Sequence, residues 1–236
     1  MIQATFLGHS GFLVELSSIC LLFDWSEGSL PPLPEKPLLV FASHRHQDHF
    51  QPQIFALDGG SRETTFFLGS DLKLTESRKQ RWSISAETAA RCHVLKGGKT
   101  AHIGSVSVEA LTSTDEGAAF LVTCDGYTIY HAGDLNWWHW EGEDPAWNRN
   151  MEASFKRYIE PLRGRHIDLA FAPLDPRQEA AAHWGFRYLL ELTDISHIVP
   201  MHQWKNPQPT REFCAAYPQH ARVITPLETP GQTVVF

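Results

Sequence analysis

The chain reads as an α/β protein, and three observations carry that reading. Pro37-Leu38-Leu39-Val40-Phe41-Ala42 is a short apolar run with β-branched and aromatic content, the mark of a buried strand. Residues 51–57 follow as a helix with Pro52 in its first turn, closed by Asp58-Gly59-Gly60. The alternation returns in the second half, where 167–172, 178–192 and 195–199 read as strand, helix and strand.

In chain order, the first 24 residues alternate strands and turns, with strands over 2–7, 12–16 and 19–23 and Asp24 ending the third. Residues 26–37 hold four prolines and few periodic apolar positions, and so form a loop. The next strand is 65–68, then a short helix over 71–78, a mixed stretch over 84–94, and a turn at Lys96-Gly97-Gly98-Lys99. Strands over 103–111 and 118–124 follow, and Gly126-Tyr127 turns the chain into 128–131. Residues 134–149 spend four of the eight tryptophans (Trp137, Trp138, Trp140, Trp147) on one stretch, which reads as a packed or oligomer-facing segment or as a wall over a nearby site. An amphipathic helix is expected over 151–162, a further helix over 210–217, and extended chain over 222–225. Residues 1–236 are expected to form a single domain.

Hydrophobic residues make up 42% and charged residues 20%, the balance of an ordinary globular protein. A net charge of -7 argues against a general nucleic-acid binder, and Arg78-Lys79-Gln80-Arg81 is a solvated helix face rather than a phosphate track. No apolar run approaches the ~20 residues of a membrane span, and the first residues lack a basic segment followed by a long apolar one, so a cytoplasmic protein is expected. Cys20, Cys92, Cys124 and Cys214 are scattered without a close pair and read as free thiols.

The chemistry concentrates in His44-Arg45-His46-Gln47-Asp48-His49, three histidines and an aspartate in six consecutive positions between a strand end and a helix start. His44 and His46 would diverge on a helix; on looped backbone they share a side and can hold one ion. Asp48 and His49 need a tight turn to reach a second position nearby. Imidazole with carboxylate suits zinc, iron or manganese. His9, behind Gly8 at a strand end, points toward the same pocket in a substrate-binding or supporting role.

His44-x-His46-x-Asp48-His49 after a buried strand resembles the signature of the metallo-β-lactamase superfamily of metal-dependent hydrolases. Thr5-Phe6-Leu7-Gly8-His9-Ser10-Gly11-Phe12-Leu13-Val14 and Leu21-Leu22-Phe23-Asp24 are similar to the opening strands of its lactonase-like branch. Tyr130-His131-Ala132-Gly133-Asp134 and Val199-Pro200-Met201-His202 match its later ligand motifs. The resemblance implies a four-layer αβ/βα sandwich with metals between the sheets at one edge. It implies that His44 and His46 hold one ion, that Asp48, His49 and His202 hold a second, and that Asp134 bridges them, with Asp24 lying under the metal loop. The implied cofactor is Zn2+, as one or two ions, with Mn2+ or Fe2+ as alternatives. The family usually adds a third histidine to the first ion, and here that region reads Leu111-Thr112-Ser113-Thr114-Asp115-Glu116-Gly117, without one. Asp115 (or Glu116) takes its place, His183 reaches in from the later helix, or the first ion is weak or absent; substitution by Asp115 is the expectation.

The implied activity is hydrolysis of a small anionic ester, lactone or phosphoester by a metal-activated water. Asp48 would orient that water, and a protonated His183 or His131 would hand a proton to the leaving group. Arg45, Arg177 and Lys205 flank the site loops as binders of an anionic substrate. The rival readings are a phosphodiesterase or nuclease-type hydrolase, a mononuclear iron oxygenase, and a non-catalytic metal-containing binding module. A small-molecule substrate is expected, with neither nucleic acid nor membrane as partner, and homo-oligomerisation is left open.

Overall fold

Continuous apolar runs build the first sheet. β1 (Gln3–Gly8), β2 (Gly11–Glu15) and β3 (Cys20–Phe23) form an antiparallel meander, and β4 (Leu38–Ala42), β5 (Thr64–Gly69) and β6 (Cys92–Leu95) extend it in parallel. β4 and β5 are buried along their whole length, as parallel strands covered on both faces are. The second sheet begins as an antiparallel meander of β7 (Lys99–Ile103), β8 (Val106–Thr112), β9 (Ala118–Cys124) and β10 (Tyr127–His131). β11 (His166–Pro173) and β12 (Asp194–Met201) continue it in parallel. β13 (Thr233–Val235) returns to the edge of β1, giving the orders β13-β1-β2-β3-β4-β5-β6 and β12-β11-β10-β9-β8-β7. The structure, a computed structural model, describes residues 1–59 and 62–236.

Pleating sends alternate side chains to opposite faces of each strand. Phe12, Phe23, Phe41 and Phe67 point inward and meet Phe120 and Phe171 of the second sheet. Phe23 stacks on Phe41 at 4.6 Å and Phe12 on Phe171 at 4.1 Å, pairs that each add about 0.5–1.5 kcal/mol beyond their burial. Leu13, Leu22, Val40 and Phe66 face the other way. They are covered by the 3-10 turn Pro52–Leu57, α1 (Glu76–Arg81) and α2 (Ala86–Ala90), through Ile54, Phe55, Trp82 and Ala89. α3 (Pro145–Ile159), α4 (Ala182–Leu192) and α5 (Gln208–Ala216) flank the second sheet through Phe155, Phe186 and Phe213, with α6 (Pro218–Ala221) behind them. Helices, sheet, sheet and helices thus form the four-layer αβ/βα sandwich.

Where elements differ from the sequence reading, the causes are local. β7 falls partly on the expected turn at 96–99; its exposed, polar edge carries little apolar signal. The stretch after the histidine loop is a 3-10 turn rather than an α-helix, and Gly60 of its expected stop lies outside the described residues. α3 begins inside the tryptophan-rich stretch because Asp144 caps it, its side chain accepting from Ala146 N at 2.7 Å, with Pro145 in the first turn. The expected helix over 178–192 is broken at Glu179, whose φ of 49° kinks the 3-10 stretch Pro176–Ala181 internally, and the α-helix α4 starts only at Ala182. The expected extension over 222–225 is one isolated bridge between Ile198 and Ile224. Among the described residues no helix is long and apolar enough to cross a membrane.

Candidate metal centre

The histidine loop leaves the C-terminal end of β4 and doubles back within one turn, as His49 N and Phe50 N both donate to the His46 carbonyl, at 3.0 and 2.9 Å. Two backbone contacts pin its first residue. Ser43 N donates to Asp24 Oδ1 at 2.7 Å, and the Ser43 carbonyl accepts from Ala118 N at 3.0 Å. Glycines make the approach feasible. A Cβ on Gly69 or on Gly117 would lie 1.9 Å from the Ser43 carbonyl oxygen, and one on Gly133 would lie 2.7 Å from Ser43 Cβ. Gly117 also holds φ at +68°. Gly117→Ala is therefore expected to lower stability by at least about 2 kcal/mol and to reduce metal uptake, read by urea unfolding and elemental analysis. Wild-type values on both would sink this account.

Strand ends from both sheets converge on this loop. His44, His46, Asp115 and Asp134 form one set of donor groups, and His9, Asp48, His49 and His202 another; within each set the donor atoms lie inside 4.8 Å of one another. The two sets meet at Asp134, which follows β10. Its Oδ1 lies 3.2 Å from His49 Nε2 and 3.4 Å from His202 Nε2, while its Oδ2 faces His44 Nε2 at 3.7 Å. Asp115, on the β8–β9 loop, brings Oδ2 to 3.3 Å from His46 Nδ1 and 4.0 Å from His44 Nε2. Asp48 Oδ2 lies 3.3 Å from His9 Nε2, 3.8 Å from His202 Nε2 and 3.9 Å from His49 Nε2.

Carboxylates behind the histidines orient them. His49 Nδ1 donates to buried Asp24 at 2.7 Å, and His202 Nδ1 to buried Asp175 at 2.8 Å, leaving both Nε2 atoms aimed at Asp134. Asp175 is held in turn by Arg177, whose Nη2 donates to it at 2.6 Å, and by Trp204 Nε1 at 3.3 Å. Backbone geometry contributes too: His9, Asp24 and His202 sit at φ of 45°, 41° and 62°.

The residues fit a divalent ion. His9 Nε2, His49 Nε2, His202 Nε2 and Asp134 Oδ1 are all buried without a hydrogen-bond partner; the His49 and His202 atoms face Asp134 Oδ1, and the His9 atom faces Asp48. Electrostatics agrees. Burial would raise the pKa of Asp134, but His49 and His202 outweigh it and hold the carboxyl well below its usual range. Burial would lower the pKa of His49, but Asp134 and Asp24 raise it well above the ordinary imidazole value. The pocket keeps a negative charge that calls for a cation.

Residues 3–139 match the family model described as "Beta-lactamase superfamily domain". The chain belongs to the metallo-β-lactamase superfamily. Among relatives, a UPF0173 metal-dependent hydrolase of Korarchaeum cryptofilum is 27% identical over 216 residues, covering 86% of this chain and 83% of the relative. One from Nitratidesulfovibrio vulgaris is 26% identical over 256 residues, covering 99% and 95%. In structure, the metallo-β-lactamase fold protein YhfI of Bacillus subtilis superimposes with a TM-score of 0.63 over 99% of this chain and 98% of that one; at 14% identity this speaks to the fold alone.

Within this superfamily member, the structure brings His44, His46, Asp115, Asp134, Asp48, His49 and His202 into the two sets, and adds His9 to the second. It separates others. His131 is fully buried with both ring nitrogens engaged, Nε2 donating to the Ser10 carbonyl at 2.9 Å and Nδ1 accepting from Gly133 N at 3.1 Å, so it has no proton to hand to a leaving group. His183 packs against α5, with Nε2 on the Pro209 carbonyl at 3.2 Å and its ring on Phe213, and belongs to neither set. Arg45 and Arg177 are spent on carboxylates, the first on Glu116 at 2.6 Å and the second on Asp175. Asp175 escaped the sequence reading, though Asp175-Pro176-Arg177 at a strand end in the second half mirrors the place of Asp24 in the first. The tryptophans divide: Trp138 donates to the Asp134 carbonyl at 3.0 Å, whereas Trp137 packs on Phe155 and Trp184 in the helix layer.

Proposed function

We propose that this chain hydrolyses a small ester, lactone or phosphoester with a metal-activated water, Zn2+ being the first candidate ion and Mn2+ or Fe2+ the alternatives. The observation that carries the reading is the pair of donor sets meeting at one buried carboxylate, with four unpartnered buried atoms aimed inward. His44, His46, Asp115 and Asp134 would hold one ion, and Asp48, His49, His202 and Asp134 the other, with His9 beside the second. When bound, such ions supply hydroxide near neutral pH and polarise an acyl or phosphoryl oxygen. Asp48 fits an orienting role. Burial would raise its pKa, but His9 and His49 outweigh it, so the carboxylate stays charged and would accept a hydrogen bond from an attacking water. Trp138, on His202 at 5.6 Å, keeps bulk water from that histidine.

The chain should take up divalent metal, hydrolyse at least one member of a panel of p-nitrophenyl esters, lactones and bis-p-nitrophenyl phosphate, lose activity to chelator and regain it on metal return. No turnover at full metal load would refute the reading. Asp115 supports its own prediction as the substitute for the absent histidine. Asp115→Ala is expected to cut bound metal from two ions per chain toward one by elemental analysis; unchanged stoichiometry would remove Asp115 from the set.

A further inference from the structure

A cavity of about 890 Å³ opens beside the second donor set alone. Of the second set His9 and Asp48 line it and His49 and His202 do not, and no residue of the first set does. A substrate entering through this cavity would meet His9 and Asp48 first, while His46 and Asp115 of the other set are themselves exposed. The volume is within the range of pockets that enclose drug-sized ligands. Phe6, Pro200, Met201, Trp204, Leu227 and Pro230 give much of its wall an apolar character.

Charge narrows the occupant further. The cavity is lined by Glu27, Asp48 and Glu228 against one cation, Lys205. Glu27 lies against the Gly8–His9 corner, its Oε1 2.7 Å from where a Cβ on Gly8 would be. Outside the ion site Glu27 stands against Lys205, and Glu228 is met by Arg211 at 3.8 Å, so the cavity holds no surplus of positive charge to draw in an anion. The two arginines that would have favoured an anion are occupied by Glu116 and Asp175. Trp204 completes the wall. Its ring is clamped between Arg177, at 4.5 Å, and His9, at 4.7 Å, and remains 45% exposed.

We propose that this cavity binds the apolar acyl part of an uncharged ester or lactone and disfavours phosphodiesters and carboxylated substrates; the proposal rests on the hydrolase reading above. The reaction is plain hydrolysis. Water oxygen bonds to the acyl carbon, the acyl C–O bond breaks, and the departing alkoxide oxygen takes a proton, giving an alcohol and a carboxylic acid. Selectivity arises from methylene burial on exposed Trp204 and Pro230, and from repulsion of a second negative charge at Glu27.

The test measures kcat/KM of the metal-loaded protein for p-nitrophenyl acetate, octanoate and hemisuccinate and for bis-p-nitrophenyl phosphate. Octanoate should exceed acetate by about tenfold or more, the worth of two buried methylenes, and should exceed the hemisuccinate and the phosphodiester. Glu27→Lys should shift the hemisuccinate-to-octanoate ratio toward the anion, and Thr229→Trp, filling the cavity from its exposed rim, should erase the octanoate advantage. Calorimetric titration with decan-2-one and with dibutyl phosphate reads the same preference without turnover, the ketone binding more tightly. Preference for the hemisuccinate or the phosphodiester overturns the proposal and leaves the hydrolase reading intact. Tighter binding of the ketone with no turnover of any ester supports the cavity assignment and removes the hydrolase reading. Failure of the ketone to bind overturns the proposal.

Discussion

Asp134→Asn should lower hydrolysis by about a thousandfold or more, the equivalent of some 4 kcal/mol of lost transition-state stabilisation. The same change should leave the protein short of metal in both positions, because Asp134 is the one carboxylate that faces His44 on one oxygen and His49 and His202 on the other. Asparagine keeps the shape and removes the charge, so a loss of function reports electrostatics rather than collapse of the pocket. Full metal content with more than a tenth of wild-type activity would refute the sharing of Asp134.

Asp24→Asn tests the support behind the second set. Asp24 accepts from Ser43 N, Ser43 Oγ and His49 Nδ1 at 2.7, 2.6 and 2.7 Å, and an amide cannot serve all three. Metal affinity by competition with a chelator should fall about 10–100-fold. Asp24→Ala should also lose about 3–5 kcal/mol of stability, as removal of one partner from a buried charged network does. Burial would raise the Asp24 pKa, but His131 and His49 outweigh it and lower it below its ordinary 3.8. The carboxylate is therefore most stabilising above that ordinary value, and its contribution is lost as pH falls through the lowered one. Wild type should lose its stability advantage over Asp24→Asn on acidification through that window; an advantage that persisted there would count against the network.

The histidine loop was legible because its spacing is local: two imidazoles two apart, then an acid and an imidazole that need only one turn to return. Asp134 and His202 were legible through motifs that stand at strand ends. Asp175 was not. Its role comes from β11 and β12 lying in parallel register, Pro173 opposite Met201, which places the residues just beyond them side by side. No local pattern announces such a neighbour. His9 was read toward the pocket but not into the donor set, since its place depends on left-handed backbone at Gly8 and His9. His131 misled for the opposite reason: it stands beside the Gly-Asp motif, yet the pleat turns it into the core, stacked on Phe23 at 5.0 Å. Arg45 and Arg177 read as binders of an anionic substrate because only the folded chain shows their acidic partners, Glu116 and Asp175.

Three glycines from separate strand ends press on Ser43, leaving no volume for even a methyl group there. The cavity beside His9 and Asp48, proposed above to take the substrate, is walled differently, by segments around 26–27, 203–207 and 228–230 that carry exposed side chains. Substitution is thus nearly forbidden on the side that gathers the ligands and cheap on the side that greets the substrate. A chain built this way can acquire a new specificity by exchanging rim residues while its reactive centre stays fixed, so laboratory evolution toward other acyl groups should accumulate changes in those three segments and spare the Ser43 contact.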